Sequence, residues 1–254
     1  MKKIIPVWKP VSWTPLEAVL EFKKNIPELR NNVISYAGRL DPMAEGVLLL
    51  LVDDENKKRH EYEDLEKTYE SEIILGISTD SYDGLGVIES IKLKDVSSEE
   101  INKCLKSFLG KQKQIYPPYS SKAVNGKSLY WWAKNKKLDE IEIPKRDIEI
   151  YSTKLLNLEK IDASYLAKNI IEKVKMIEGD FRQDEIIKNW VEFEKKNKEL
   201  ELIKIKIRVA CSTGTYIRRI ASDLGEKMEV GAFAFSIKRI KVGKFEKEDC
   251  ISYF

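Results

Sequence analysis

One carboxylate in this chain is set up to react. Asp41 lies in Tyr36-Ala37-Gly38-Arg39-Leu40-Asp41-Pro42-Met43-Ala44-Glu45-Gly46, between a glycine that permits unusual backbone angles and a proline that fixes its own. The apolar run 47–52 follows and reads as a buried strand anchoring the turn. Such a turn can hold a single reactive carboxylate still, and an ordinary turn entering a buried strand has the same local pattern. A second group of interest is Cys211-Ser212-Thr213-Gly214-Thr215-Tyr216-Ile217-Arg218. With no suitable base for Cys211, that cysteine reads as a buried strand end, and the glycine and hydroxyls as a turn into a helix over about 215–227. Tyr216 and Arg218 then fall in the first turn. A cation gains nothing from a helix N-terminus, so Arg218 calls for an anion. Asp41 can supply it, and so can Asp223 or Glu226 on the same helix.

Other chemistries find little support. The only histidine, His60, sits among Lys57, Lys58, Arg59 and Glu61, which excludes a histidine triad or a multi-histidine metal site. Cys104, Cys211 and Cys250 are odd in number and widely spaced, so neither a disulfide framework nor a zinc pattern is suggested, and a reducing cytoplasm is expected. No glycine-rich phosphate loop is present. Asp80 and Asp83 lack calcium-loop spacing and read as a sharp Asx-type turn. Aromatic residues recur beside basic ones at Lys67-Thr68-Tyr69, at Tyr116 to Tyr119 with Lys122, and at Tyr130-Trp131-Trp132 with Lys134. Such sets can stack on splayed bases, or can be half-buried packing with snorkelling lysines.

The 254 residues, 34% charged and 43% hydrophobic, suit one soluble domain with a sizeable core. A net charge of +3 permits an acidic partner such as RNA without demanding one. The first residues turn polar too soon for a signal peptide, and no run approaches the roughly 18 apolar residues that span a bilayer.

Strand and helix signals alternate irregularly. Strands are predicted over 4–8, 67–75, 87–93, 146–158, 203–209 and 232–240. Helices are predicted from Thr14-Pro15 to about residue 24, from the Ser97/Glu100 capping box to 108, over 162–177 and over 183–196. Residues 111–127 read as a long loop. Without strict strand-helix-strand alternation the expected class is α+β.

These segments together resemble the TruB family of tRNA pseudouridine synthases, in order along nearly the whole chain. Lys9-Pro10 with Thr14 is similar to the family's N-terminal motif, and Gly38 with Leu40-Asp41-Pro42, Ala44 and Gly46 to its active-site motif. Lys67-Thr68-Tyr69 resembles a third, continued by Gly76, Thr79-Asp80, Asp83 and Gly86. Pro117-Pro118, Ser120-Ser121-Lys122-Ala123, Asn125-Gly126-Lys127, Tyr130 and Ala133 resemble the next. The segment from Cys211 to Arg218 with Asp223-Leu224-Gly225 is the most specific block after Asp41, and Gly231-Ala232 leading to Ile237-Lys238-Arg239 resembles the final strand.

The resemblance implies the pseudouridine-synthase fold, a mixed bent sheet flanked by helices, as a single catalytic domain over 1–254. It implies isomerisation of uridine to pseudouridine in the T loop of tRNA, at position 55, with no cofactor and no metal, by a cytoplasmic protein taken to be a monomer. Asp41 would be the catalytic nucleophile, Tyr69 would stack on the flipped uracil, and Tyr216 would lie against base or sugar as a proton-transfer candidate. Arg218 would orient Asp41, and Ile237 would contact the base. Ser12 and Pro15 replace a motif glycine and serine. Tyr36-Ala37 stands where many members carry histidine-threonine, which makes Tyr36 a candidate RNA contact. Gly38-Arg39-Leu40-Asp41 matches pseudouridine synthases of ribosomal RNA, which motivates another RNA as substrate. An RNA chaperone and a glycosidase are further rivals, the latter needing a second carboxylate near Asp41. No C-terminal RNA-binding domain is expected after residue 245, and 162–197 reads as a helical insertion. Its mixed charges favour bracing of the sheet over RNA contacts.

Overall fold

A computed structural model describes residues 4–251. Strand β1 (Ile4–Lys9) leads into helix α1 (Pro15–Asn25), started by a capping box in which Thr14 accepts from the Glu17 backbone at 3.2 Å and Glu17 accepts from that of Thr14. Strands β2 (Ile34–Ala37) and β3 (Ala44–Val52) flank the Asp41 turn. Then come α2 (Arg59–Glu63), β4 (Lys67–Leu75), β5 (Ile77–Thr79), β6 (Ile88–Ile91), α3 (Ser98–Lys106) and β7 (Gly110–Ile115). The two-residue strands β8 (Ala123–Val124) and β9 (Lys127–Ser128) precede α4 (Leu129–Lys134) and the long β10 (Lys145–Asp162). Helices α5 (Ala163–Lys175) and α6 (Gln183–Lys196), strand β11 (Glu201–Cys211), helix α7 (Ile217–Met228), and strands β12 (Ala232–Val242) and β13 (Phe245–Glu246) complete the described chain.

One mixed sheet runs through the molecule in the order β1-β3-β12-β4-β11-β10-β7, with β2 added to β3 and β13 to β12. Its parallel pair is β3 with β12 (Ile237↔Ala44, Arg239↔Gly46). The architecture is α+β, as expected.

Alternation along the central strands decides which helices cover which face, because successive side chains point to opposite sides of a sheet. Ile73 of β4 and Ala232 and Ala234 of β12 belong to a core shared with Ile101 and Leu105 of α3 and Ile220 and Leu224 of α7. Their neighbours Ile74, Phe233 and Phe235 face the other way, against Leu166, Ile170 and Val174 of α5 and Ile186, Trp190 and Phe193 of α6. The α5–α6 pair therefore lies on the sheet as an apolar layer, with Asp162 capping α5 through the Tyr165 backbone at 2.8 Å.

The predicted loop over 111–127 is corrected at both ends. Residues 110–115 form an edge strand paired to β10, from Gly110↔Ile150 to Ile115↔Lys145, and the β8–β9 hairpin closes the segment. The sequence Gly-Lys-Gln-Lys-Gln-Ile lacks apolar alternation because the strand buries only Gln114, so its ladder comes from β10 and not from its own pattern. The strand predicted over 87–93 is confined to Ile88–Ile91.

Candidate active site

The Asp41 turn is held from two sides. The Asp41 carbonyl accepts from the Ala44 N–H at 3.0 Å, and the Pro42 carbonyl from the Ser12 N–H at 2.8 Å. Ser12, where the family motif has glycine, adopts φ +76°, a left-handed conformation that glycine reaches without steric cost. Behind the turn lies Arg239, 1% exposed. Its guanidinium donates to the carbonyls of Val47 at 2.8 Å, Arg39 at 3.1 Å and Gly38 at 3.3 Å. β3 and β12 approach so closely here that a Cβ on Gly46 would lie 2.3 Å from the Arg239 carbonyl oxygen. Only glycine fits.

Arg218 comes to Asp41 on the start of α7. That start is capped from another strand: the Tyr216 N–H donates to Gln114 Oε1 at 2.8 Å, and Gln114 Nε2 donates to the Tyr216 carbonyl at 3.1 Å. Tyr216 is thus the residue before the helix, which begins two residues later than predicted. Arg218 is 3% exposed, and its Nε donates to Asp41 Oδ2 at 2.8 Å. Nη1 reaches the Ser81 carbonyl at 2.8 Å, Nη2 the Tyr119 carbonyl at 3.3 Å, and Asp83 Oδ2 lies 3.5 Å from Nε. Of the two pairings the sequence left open, the one across the fold forms. The on-helix carboxylates belong to Arg219, which pairs with Asp223 at 2.5 Å and Glu226 at 3.3 Å.

Burial alone would weaken the Arg218 cation, but Asp41 and Asp83 reverse that, and its pKa stands above the ordinary value. Asp83 shows the opposite balance. Burial pushes its carboxyl up to about 6, against the pull of Arg218 and the hydrogen bonds from Ser81 and Leu85. Asp83 makes the Asx-type turn, its Oδ1 accepting from the Leu85 N–H two residues on at 2.9 Å, while Asp80 Oδ1 accepts from the Val87 N–H at 3.1 Å and closes the wider loop. Both carboxylates also carry ion pairs, which the sequence reading did not assign. Asp83 is a second carboxylate beside Asp41. It borders the same cleft, but at 4% exposure it is committed to Arg218, which leaves Asp41 as the more exposed of the two.

The Asp41 side chain, 38% exposed, opens into a cleft of about 860 Å³. Tyr36, Tyr69, Tyr216, Arg218 and Ile237 line the same cleft, so the fold brings all six sequence-selected residues together. Tyr69 and Ile237 are buried on β4 and β12 and form an apolar floor. Burial pushes the Tyr216 phenol up to about 12, with Asp41 adding to the effect, so at neutral pH it is a proton donor and not a base. Tyr36 stands at the rim with the Arg59 guanidinium 5.5 Å over its ring. Tyr119 and Tyr130 also line the cleft. Trp131 and Trp132 do not; they meet edge to face, with Lys127 Nζ 3.4 Å from the Trp131 centroid.

Sequence reasoning gave no role in the site to Gln114, Arg239, Asp83 or Lys9, although the last three stand in its motifs. Lys9 is fully buried and donates to the carbonyls of Pro10 and Trp13 at 2.7 Å each, and burial lowers its pKa to about 7 although Asp41 pulls it upward. A lysine closing an otherwise apolar strand was the available signal for Lys9, whereas Arg239 sits among Lys238 and Lys241 and has none. Among the described residues, no three His, Cys, Asp or Glu side chains gather to hold a metal ion, and no helix is long and apolar enough to cross a membrane.

The TruB family pseudouridylate synthase model (N-terminal domain) matches residues 27–170. The chain belongs to the TruB family. A tRNA pseudouridine synthase B of Syntrophomonas wolfei is 31% identical over 252 residues, covering 99% of this chain and 70% of the relative. That of Clostridium novyi is 33% identical over 251 residues, with 99% and 71% coverage. Among solved structures, a Cbf5–Nop10–Gar1 complex matches with a TM-score of 0.59 at 20% identity over 96% of this chain. An H/ACA RNP bound to a substrate RNA matches with 0.58 at 19% identity over 98%. The chain spans half the length of each of those two chains, and at such identities they speak for the fold alone. That fold is the pseudouridine-synthase fold. As a TruB-family member the chain is a pseudouridine synthase, an isomerase.

Proposed function

We propose that this TruB-family enzyme converts uridine 55 in the T loop of tRNA to pseudouridine, with Asp41 as its catalytic residue. The observation that carries the reading is the Arg218–Asp41 contact of 2.8 Å at the base of a cleft lined by Tyr69, Tyr216 and Ile237. The reaction detaches uracil from C1′, turns it and rejoins it through C5, which requires no net oxidation and no cofactor. Asp41 attacks the sugar or the base, or removes a sugar proton to give a glycal. Tyr69 stacks on the flipped base, Ile237 supports it, and the protonated Tyr216 lies against base or sugar and passes a proton. Tyr36 contacts RNA at the rim. The target uridine has to leave its stack, at a cost of a few kcal/mol that favours loop nucleotides over a paired stem. Residues 162–197 are an insertion within a single catalytic domain, and the setting is cytoplasmic.

A second reading, motivated by Gly38-Arg39-Leu40-Asp41 with Arg39 exposed at the cleft, is the same chemistry on another RNA. Tritium release from 5-tritiated uridine in an unmodified tRNA transcript tests both. Release that needs Asp41 and uridine 55 supports the first reading. Asp41-dependent release that survives loss of uridine 55 favours the second. Tight binding without release would count against both and point to a chaperone.

A further inference from the structure

The turn joining α5 to α6 reaches the cleft, although the helices themselves pack on Phe233 and Phe235. Asp180, Phe181 and Arg182 line the same cavity as Asp41. Asp180 is pinned there by an ion pair with Lys134 and by the Tyr130 hydroxyl, which donates to its carbonyl at 2.7 Å.

Arg182 occupies a place that stability alone disfavours in three ways. Its backbone is left-handed at φ +65°, which penalises a residue with a Cβ. It stands at the N-terminal end of α6, where the helix dipole opposes a cation. Its Nε is buried without a hydrogen-bond partner. The guanidinium instead spans both oxygens of Asp80, at 2.8 and 3.2 Å, and lies 4.0 Å over the Tyr119 ring. The Tyr119 hydroxyl closes the triangle by donating to Asp80 Oδ2 at 3.1 Å.

Asp80 and Tyr119 are the two places from which Arg218 is held. The turn that Asp80 begins supplies the Ser81 carbonyl and Asp83, and Tyr119 supplies its own carbonyl. One cation therefore ties together the side chains of two segments whose backbones fix another cation. We propose that Arg182 is a positioning residue for Asp41, acting through Asp80 and Tyr119 on Arg218; this rests on the reading of Asp41 as catalytic. A strained residue with an orphaned nitrogen persists where its surroundings require it, and such strain gathers at functional sites. With its terminal nitrogens on Asp80 and its side chain 10% exposed, Arg182 is poorly placed to receive an RNA phosphate.

The test is single-turnover tritium release at saturating full-length enzyme, with transcript binding and Tm measured alongside, for Arg182→Gln, Arg182→Lys, Asp80→Asn and Asp41→Asn. Arg182→Gln is expected to slow release about tenfold while leaving transcript affinity within about twofold, because misplacing a reacting group costs rate more than binding. Arg182→Lys should restore part of the rate, and Arg182→Gln combined with Asp80→Asn should be no slower than the slower single variant. A lowered Tm with unchanged saturated rate would overturn the proposal, as would a loss confined to affinity. If Arg182→Gln does not fold, the rates of Arg182→Lys and Asp80→Asn decide, since each weakens the same clamp. An inactive Asp41→Asn beside a fully active Arg182→Gln would defeat this proposal alone. A fully active Asp41→Asn would defeat the catalytic reading beneath it.

Discussion

Two buried regions of this molecule are built on opposite principles. Around Asp41 the interior is charged: Arg218, Asp83, Arg239 and Lys9 are all sealed from solvent and held by hydrogen bonds to the backbone or to each other. Around Trp190 the interior is dry, and Phe193, Phe233, Ile170 and Leu166 are held by shape. Buried charges are costly, and a hydrophobic replacement of similar volume is often as stable or more so. The polar region therefore exists for geometry and the apolar one for cohesion, and they meet where the α5–α6 turn touches the cleft and along the 80–86 turn, whose Leu85 lines the cleft and packs on the apolar layer.

Substitutions should separate the two. The largest expected effect is on turnover: Asp41→Asn, which keeps the shape and removes the charge, should lower single-turnover tritium release by more than about 10³-fold, roughly 4 kcal/mol, while filter binding shows transcript affinity intact. Turnover near the wild-type rate would remove the functional contrast. Phe193→Ala, in the dry region, should instead cost about 3–4 kcal/mol of stability in urea titration and leave the rate of the folded fraction within about twofold.

A third effect is pH-dependent. Asp83, with its carboxyl near 6, loses its charge below that pH, and Arg218 then keeps only one of its two counter-charges. The single-turnover rate should fall up to about tenfold per pH unit below 6, and Asp83→Asn should abolish that limb. Stability should move the other way. A folded-state pKa raised from 3.8 to about 6 contributes stability that is fully present below 3.8 and lost as pH rises through 6. A rate profile flat through pH 6 would show that Asp83 contributes packing only. The smallest effect is expected at Ser12: Ser12→Gly relieves the left-handed backbone but adds disorder to the unfolded chain, for a net gain of about 0.5 kcal/mol and a Tm increase of about 1–2 °C.

The dry region was also the more legible in sequence. Helix α6 was read at its true bounds, and α5 within two residues, because an apolar stripe on one face is visible in the chain itself. The Thr14 cap and the Ser97 capping box were legible for the same local reason, while the Glu17 half of the box at Thr14 was not read. Of the site, the Asp41 turn and the Arg218 helix were legible, since each is a short motif with unusual residue chemistry. What escaped was what depends on distant pairing. Gln114 caps α7 from a strand with no pattern of its own, and Arg182 takes a left-handed conformation that no neighbouring residue announces. Asp83 looked like a turn residue, which it is, and its second role requires knowing that Arg218 lies behind it.

The parallel junction of β3 and β12 sets the order in which the enzyme becomes competent. The Arg239 contact to the Val47 carbonyl closes over 192 residues, and the Arg218 contact to Asp41 over 177. Contacts of such long range form slowly, because the entropy of closing the loop is lost before anything is gained. A nascent chain that has emerged from the ribosome as far as α6 can complete its local helices and hairpins while its reactive carboxylate still has neither partner nor backing. Catalytic competence then arrives with the last strands of the sheet.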